Sequence, residues 1–221
     1  MSKQLSLKRT SGWGGRRKNA GRPNKSNTVN HMKREQVSAR HPQLITLKLR
    51  GNLPNLRQKR LFKEFQTGIQ LAGRLGFRVI QYSLQSNHIH LLVEAKDHTS
   101  LARGVQSLAG RLAKILRKLV GGRGSVFSGR YHRRALKTPT EMKRALQYVL
   151  LNTAKHLKMI EHLDPFSSGV TFAHWPQLIG QKFAFLIKHE VEIWAKQAQP
   201  IQDVFDAQTW LASVGWMRSR L

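Results

Sequence analysis

The chain has 221 residues, enough for one domain with appendages, and its 39 lysines and arginines against 11 acidic residues give a formal net charge of +28. Such an excess attracts a polyanion, so we expect nucleic acid as the partner; an anionic membrane is the weaker alternative, and a structural role in a ribosome or nucleoid stays open. The absence of cysteine excludes disulfides and thiolate metal sites, and with neither a membrane-spanning apolar run nor a secretory signal predicted, we expect a cytoplasmic protein.

Residues 1–40 are predicted to form a disordered basic arm. The segment is rich in Gly, Asn, Ser and cations and lacks hydrophobic periodicity. The Gly-Arg-Pro at 21–23 resembles the core of AT-hook segments, which lie in the DNA minor groove, but a non-specific phosphate-binding tail is the preferred interpretation. We therefore predict DNA contacts from Arg16, Arg17 and Arg22.

Hydrophobic periodicity predicts alternating strands and helices between residues 41 and 156, which we take as one domain. Strands are predicted over 44–49, 77–84, 88–94 and 131–137, and helices over 55–75, 100–120 and 139–156. Gly76 and Gly121 are expected to end the first two helices. Thr138, Pro139 and Glu141 form the start signal of the third, as cap, first helical residue and capping-box partner.

This order is that of the split βαβ, or ferredoxin-like, arrangement within the α+β class. It predicts an antiparallel sheet with helices on one face and with the strand at 88–94 in the centre. The other face is expected to stay free for a site. Residues 157–221 are predicted to form a C-terminal extension packed on this core, with helices at 183–198 and 207–214, because tryptophans such as Trp175 and Trp216 give it apolar surface.

His88 and His90 are the first candidate site residues. Alternate residues of a strand share a face, so both histidines point one way while Ile89 and Leu91 point into the core. Two imidazoles about 7 Å apart can converge on one divalent cation. The alternatives are two solvated histidines on a half-exposed strand, or a structural zinc site, for which no suitably spaced third histidine is evident.

Tyr148 lies off the buried face of the third predicted helix. At about 100° per residue, it lies about 115° from the centre of the apolar stripe that contains residues 142, 145, 146, 149 and 153. It shares its own face with Arg144, Asn152 and Lys155. A surface tyrosine among solvated cations is the ordinary interpretation, but beside two histidines on the free face a shared site explains the pattern better.

These segments resemble a known family. Asn87-His88-Ile89-His90-Leu91-Leu92 resembles the HUH motif (His, hydrophobic residue, His), and Tyr148-Val149-Leu150-Leu151-Asn152 resembles the helix that carries the catalytic tyrosine of HUH single-tyrosine transposases. The most similar branch is that of the REP-associated tyrosine transposases, bacterial proteins that act on repetitive extragenic palindromes. Departures are Gln85-Ser86, where many relatives have Met-Pro, and Thr153, where many have Pro.

The resemblance implies a metal-dependent endonuclease and strand transferase that acts on single-stranded DNA bearing a hairpin. His88, His90 and Asn152 would bind Mg²⁺ or Mn²⁺, and Tyr148 would attack the scissile phosphate to form a 5′-phosphotyrosine intermediate in DNA transposition. Further DNA contacts are expected from cations around the last strand and on the tyrosine helix: Arg123, Arg130, His132, Arg133, Arg134, Arg144 and Lys155.

Two other functions stay open at this point. One is a non-catalytic nucleic-acid-binding protein that retains the fold, and the other is an HUH replication initiator or relaxase. Proteins of the second kind usually have larger domains, and many use paired tyrosines, whereas Tyr148 has no second tyrosine on its helix. We expect a nucleoid-associated bacterial protein that acts as a monomer or a homodimer.

Overall fold

A computed structural model describes residues 35–73, 76–152, 163–181, 184 and 204–219. Its main elements are β1 (Gln43–Lys48), α1 (Lys59–Gly73), β2 (Phe77–Leu84), β3 (His88–Ala95), α2 (His98–Val120), β4 (His132–Ala135) and α3 (Pro139–Leu150). Shorter elements follow: a 3-10 helix at Ser168–Thr171, α4 (Trp175–Ile179), α5 (Trp210–Ser213) and a 3-10 helix at Gly215–Arg218. The predicted β-α-β-β-α-β order is confirmed.

The four strands form one antiparallel sheet in the order β2-β3-β1-β4. The strand that carries the two histidines, β3, lies in the interior of the sheet, as predicted. In the register, Thr46 of β1 lies between His90 of β3 and His132 of β4. This is the ferredoxin-like topology expected from the element order.

Helices α1 and α2 cover one face of the sheet. Ile45, Ile89 and Leu91 from the sheet are buried in the same cluster as the apolar faces of both helices. Gly104 allows the close approach of α2, because a Cβ atom there would lie 2.2 Å from Cγ of Phe77 on β2. The predicted stop at Gly121 is confirmed, since this residue caps α2 with a φ of 63°.

The other face, which we expected to stay free, is partly covered by α3 and the C-terminal segments. Ile80 and Leu92 place apolar side chains on it, and they pack with Met142, Val149 and Trp216. A strand that has apolar residues on both faces needs cover on both, and the apolar stripe of α3 supplies it. The histidines lie on this second face, beyond the part that Leu92 occupies.

The start of α3 follows the predicted signal. The Thr138 hydroxyl accepts a hydrogen bond from the Glu141 backbone N–H, and the Glu141 carboxylate accepts one from the Thr138 N–H, so the capping box is confirmed. The end of α3 was predicted wrongly, at residue 156. The helix ends at Leu150, where Leu151 leaves helical geometry and donates its N–H to the Gln147 carbonyl.

Other bounds differ from the prediction as well: α2 begins at His98 rather than at residue 100, and the helix predicted at 207–214 is limited to Trp210–Ser213. Helix α1 begins at Lys59 rather than at residue 55, because Leu56 donates its N–H to the Ser86 carbonyl and Asn55 accepts from the Arg57 N–H, which holds this stretch in a turn. Strand β4 is limited to four residues. Residues 153–162 and, apart from residue 184, the predicted helix at 183–198 lie outside the described residues. Among the described helices, none is both long and apolar enough to cross a bilayer.

Candidate active site

His88 and His90 share the second face of β3, and their ring centroids are 4.6 Å apart. Each ring is held by a neighbour through Nδ1. His88 Nδ1 donates to Oδ1 of Asn87 over 2.8 Å. His90 Nδ1 lies 3.0 Å from Oγ1 of Thr46, its cross-strand neighbour on β1. The two rings therefore have fixed orientations.

Helix α3 brings Tyr148 to this pair. Its hydroxyl oxygen lies 3.2 Å from His90 Nε2, and the two ring centroids are 4.8 Å apart. The tyrosine is 42% exposed, although its phenol reaches the sheet. This placement follows from the buried stripe of α3, because Val149 packs inward and leaves the preceding residue at the edge of the covered area.

His90 is kept neutral by its surroundings. The ring is only 2% exposed, and burial, with a smaller contribution from the nearby His88, lowers its pKa from 6.5 to about 4. A neutral imidazole has one donor and one acceptor nitrogen. Either neutral tautomer satisfies both contacts, because each contact joins a ring nitrogen to a hydroxyl that can donate or accept. A metal ion bound at Nε2 would require the tautomer in which Nδ1 donates to Thr46.

Asn152 follows the end of α3 and is only 6% exposed. In a continuous helix it would have shared the exposed face of Tyr148, as predicted from the sequence, but in the structure it does not. Its Nδ2 atom is buried and has no hydrogen-bond partner among the described residues. A buried amide atom without a partner costs about 1–3 kcal/mol, so an interaction with a group outside the protein would offset a real penalty. Turning the amide over exchanges its nitrogen and oxygen, which would present an oxygen at the same position.

The donor types of these residues fit a divalent cation. Two imidazoles and one amide would add no charge of their own and would leave the full charge of the ion available to a substrate, with imidazole nitrogens suited to first-row transition metals and the amide oxygen to Mg²⁺ or Mn²⁺. Within the part of the chain that the structure describes, no third His, Cys, Asp or Glu joins the pair. The described residues therefore form no three-ligand site of the structural zinc type.

Exposed cations surround the His88 end of the sheet. Lys48 lies opposite His88 in the register, and Ser128 donates its N–H to the Lys48 carbonyl, so the loop before β4 is attached next to the site. Arg123 and Arg130 are exposed in or beside this loop. Arg144 is exposed on α3, one turn before Tyr148. Arg144 therefore lies beside Tyr148 on the helix surface, and the loop that follows Arg123 is attached next to Lys48.

The predicted contacts on β4 divide between the two faces of the sheet. His132 pairs with Thr46, so it shares the face of His90, and Arg134 shares that face by alternation. Arg134 forms a 2.8 Å ion pair with Glu141. Arg133 points the other way and donates to the Glu35 carbonyl. The remaining predictions, Arg16, Arg17, Arg22 and Lys155, lie outside the described residues.

Three residues of the site were not predicted from the sequence: Thr46, Asn87 and Lys48. Asn87 could have been found from its position next to His88, since an Asn side chain readily bonds a neighbouring group. Thr46 and Lys48 carry no such local signal. They become neighbours of the histidines only through the register between β1 and β3.

Residues 47–152 match the protein-family model described as "Transposase IS200 like". The chain carries an IS200-like transposase domain. The matched segment contains both histidines, Tyr148 and Asn152, and this match supports the predicted resemblance to single-tyrosine transposases. No curated protein matches the sequence.

Two solved structures are similar to this chain. A REP-associated tyrosine transposase bound to a REP hairpin matches with a TM-score of 0.52 and 14% identity, over 63% of this chain and 82% of that one. At this level of identity the match shows the fold. A proposed transposase from Deinococcus radiodurans R1 gives a TM-score of 0.37 and 14% identity, over 57% of this chain and 96% of that one.

Proposed function

We propose that the transposase domain is a metal-dependent endonuclease and strand transferase that acts on single-stranded DNA at hairpins formed by palindromic repeats. The observation that carries the proposal is the 3.2 Å contact between the Tyr148 hydroxyl and His90 Nε2. It brings a nucleophile from a helix to two oriented imidazoles from a strand. Nucleophile and metal ligands within hydrogen-bond reach are the arrangement that phosphoryl transfer requires.

Charge supports DNA as the substrate. The chain has a net charge of +28, and exposed cations border the candidate site. The solved relative with the same fold is described as bound to a REP hairpin, and we transfer this class of ligand to the present chain as part of the proposal. A single-stranded scissile segment is expected, because the scissile phosphate must come within bonding distance of the Tyr148 hydroxyl, which is held against the sheet.

The residues would act as follows. His88, His90 and Asn152 would hold the cation, with Asn87 and Thr46 fixing the two rings. When bound, the cation neutralises the charge of the non-bridging phosphate oxygens and orients the phosphate for in-line attack. Arg144, exposed on the same helix, supplies further positive charge near the phenol.

The transfer reaction conserves the phosphodiester bond energy. Tyr148 loses its phenolic proton, its oxygen forms a bond to phosphorus, and the bond from phosphorus to the 3′ oxygen breaks. The leaving oxygen takes up a proton and becomes a 3′-hydroxyl, while the 5′ side stays attached to the tyrosine. A different 3′-hydroxyl can then attack the phosphotyrosine and displace the phenol, so strands are joined without a nucleotide cofactor.

The test is a search for the covalent adduct. The protein is incubated with a hairpin-bearing oligonucleotide and Mn²⁺, and its mass is then measured. We expect a mass increase equal to the 5′-linked product in the wild type and none in Tyr148→Phe, because phenylalanine lacks the nucleophilic oxygen. DNA affinity should change less than about threefold, since Tyr148 is one contact among many phosphate contacts.

Tyr131→Phe is the matched control, because it removes a phenolic hydroxyl from the neighbouring loop and should leave the adduct intact. Full cleavage by Tyr148→Phe would show that another residue is the nucleophile. A wild type that binds the hairpin without forming an adduct under any divalent metal would instead support the non-catalytic binding protein.

A further inference from the structure

Lys48 is a cation on the active-site face of the sheet, and the proposed function leaves it without a role. Its neighbours on β1, Leu47 and Leu49, are 4% and 3% exposed and belong to the core under α1 and α2. Since side chains alternate along a strand, Lys48 points to the other face, which carries His88 and His90. The fold therefore directs this ammonium group toward the face of the two proposed metal ligands.

The register places Lys48 directly beside His88. Leu49 donates its N–H to the Asn87 carbonyl over 2.8 Å, so these two residues form a hydrogen-bonded pair of the antiparallel ladder. Pair types alternate along such a ladder. Lys48 and His88 therefore form a non-hydrogen-bonded pair, in which side chains are closest and the Cα atoms are about 4.5 Å apart. The flexible stem of a lysine at this distance lets its ammonium group reach the space over the neighbouring ring.

The backbone of Lys48 is held on both sides, whereas its side chain is exposed. Besides its pairing with β3, the Lys48 carbonyl accepts a hydrogen bond from the Ser128 N–H over 2.8 Å. Among the residues that the structure describes, no carboxylate forms an ion pair with Lys48. Its positive charge is therefore available to a group outside the protein, such as a substrate.

Lys48 and Tyr148 approach the histidine pair from opposite ends. Tyr148 contacts His90 and comes from α3, which packs over Leu92, two residues further along β3. His88 lies on the other side of His90, about 7 Å along the strand, and Lys48 is beside it. A phosphate bound between these two places has the phenol on one side and the ammonium group on the other.

In-line displacement gives the two positions different roles. The attacking and leaving oxygens lie on opposite sides of phosphorus, so attack by Tyr148 directs the leaving 3′ oxygen toward Lys48. The departing oxygen develops negative charge and must gain a proton to become a hydroxyl. An ammonium group at this position supplies both the charge and the proton, which is the contribution of a general acid.

We propose that Lys48 is the catalytic residue that protonates the leaving 3′ oxygen when Tyr148 attacks the scissile phosphate. The inference rests on the proposed function and adds a residue to it. The Tyr148 oxygen bonds to phosphorus and loses its proton to water, the bond from phosphorus to the 3′ oxygen breaks, and one ammonium proton moves to that oxygen. In the joining step the neutral amine takes the proton of the attacking 3′-hydroxyl, which restores the ammonium group.

Other basic side chains around the site are less suited to this step. An arginine such as Arg144 is not deprotonated in proteins, so it can bind a phosphate but cannot give up a proton to the leaving oxygen. His132 on β4 is separated from β3 by β1, and thus by two strand spacings, about 9–10 Å. Lys48 is one spacing from β3 and has a proton that can be transferred.

The experiment changes the leaving atom. The scissile position is first mapped from the mass of the wild-type adduct. One hairpin-bearing oligonucleotide keeps the natural 3′ oxygen at that phosphate, and a second has sulfur in its place. A thiolate is a much weaker base than an alkoxide, so sulfur leaves without a proton. The rate of adduct formation at saturating DNA and Mn²⁺ is measured for the wild type, for Lys48→Met, which keeps an unbranched stem, and for Lys48→Arg, which keeps the charge but holds its proton.

On the oxygen substrate we expect both variants to react about 100-fold or more below the wild-type rate, the usual contribution of a general acid. On the sulfur substrate both should come within about threefold of the wild type, a recovery that a merely structural role of Lys48 would not produce. Hairpin affinity should stay close to that of the wild type, because Lys48 is one phosphate contact among many. Lys96→Met is the matched control: it removes an exposed lysine beyond the other end of β3 and should match the wild type on both substrates.

Two results would overturn the inference and leave the proposed function intact: a wild-type rate for Lys48→Met on the oxygen substrate, or an equal slowing of this variant on both substrates. A wild-type rate for Lys48→Arg on the oxygen substrate would also overturn it, since charge without proton transfer would then be sufficient. If Lys48→Met does not fold, the comparison of the two substrates with Lys48→Arg decides the question. A wild type that forms no adduct with either oligonucleotide would refute the proposed function and the inference together.

Discussion

His90 uses both of its ring nitrogens, and this sets what each neighbour contributes to the site. Nε2 faces the Tyr148 hydroxyl, and Nδ1 is held by Thr46. Groups that hold the second nitrogen of a metal-binding histidine fix its tautomer and ring orientation. We therefore regard Thr46 as a positioning residue that acts through His90.

Replacing Thr46 with valine removes the hydroxyl and keeps the shape of the side chain. We expect Mn²⁺ affinity to fall about 10–100-fold, the usual effect of losing such a partner, with a smaller change in DNA affinity. The measurement is a calorimetric Mn²⁺ titration. Thr46→Ser, which retains the hydroxyl, should bind Mn²⁺ like the wild type; if valine and serine behave alike, Thr46 does not orient His90.

The proposed ligands should not contribute equally. His88→Ala removes one imidazole of the pair and should abolish metal-dependent adduct formation. Asn152→Ala removes a weaker amide ligand, so we expect the protein to require more metal but to retain part of the adduct at saturation. The assay is adduct yield against Mn²⁺ concentration, and an Asn152→Ala variant more defective than His88→Ala would contradict the proposed ligand set.

At the scale of elements, β3 holds the C-terminal segment as well as the site. Burial alone would raise the pKa of Glu94, but the hydrogen bonds from Arg78, Gln208 and Thr209 outweigh it and lower the pKa below 4.5. A carboxylate whose pKa is lowered by folding stabilises the protein above the pKa of the unfolded chain. That stabilisation is lost as the pH falls through the folded-state pKa.

Glu94→Gln should therefore reduce the free energy of unfolding by about 1–3 kcal/mol at pH 7, because a charged acceptor of several hydrogen bonds is lost. This corresponds to a fall in melting temperature of about 2–12 °C. The difference from the wild type should shrink below pH 4.5, where the wild-type carboxylate also becomes protonated. Thermal melts between pH 7 and pH 3 provide the measurement.

Glu64→Gln is the matched control for this prediction. It breaks the pair between Arg111 and Glu64, whose side chains are both about one-third exposed. Exposed pairs contribute less than about 1 kcal/mol, so the control should melt close to the wild type. A Glu94→Gln variant as stable as this control would show that the C-terminal segment is held by its apolar contacts alone.

The elements that could be predicted from the sequence are those with a periodic pattern. β2 and the start of α3 follow directly from apolar alternation and the capping box. The end of α3 could not be predicted, because apolar spacing continues past Leu150 and no glycine marks the stop. The segment at 163–172 has no period at all; it is held by single contacts such as the Ser168 hydroxyl, which accepts from the Tyr82 N–H.

In the candidate site, the residues with distinctive chemistry could be predicted from the sequence. The residues that hold them in place could not, because they become neighbours only through the sheet register. His88, His90 and Tyr148 carry motifs that can be recognised locally. Thr46 lies 44 positions from His90 in the sequence and resembles any other strand threonine. Trp210 was assigned to the apolar mass of the C-terminal extension, because composition does not distinguish an exposed tryptophan from a buried one such as Trp216.

At the scale of the whole molecule, charge is unevenly distributed along the chain. Residues 1–34 contain ten lysines and arginines and no acidic residue. Contacts between such a segment and DNA phosphates release counterions, so they strengthen binding at low salt without reading sequence. The segment is expected to increase affinity for every DNA, with the choice of site left to the transposase domain.

Replacing Arg16, Arg17 and Arg22 together with alanine should lower the slope of log affinity against log salt by up to about three, equally for hairpin and unrelated DNA. Adduct formation at saturating DNA should be unchanged. Fluorescence anisotropy over a salt series gives the slope. The same charge change at Lys59, Arg60 and Lys63, which are exposed on or beside the far face, should alter the slope less; the reverse order would refute a role for these arginines.

β3 carries His90 and Glu94 at positions of equal parity, with Ile89, Leu91 and Val93 between and beside them. A slip of this strand by a single residue would turn every side chain over, so that the imidazole and the carboxylate would enter the core under α1 and α2, while Ile89 and Leu91 would take their places on the second face. Mispaired chains would thus lose the reacting centre and the C-terminal attachment in one event. Any misfolded fraction should therefore lack activity and also fail to hold its C-terminal segment. It should not be a stable protein that catalyses an altered reaction.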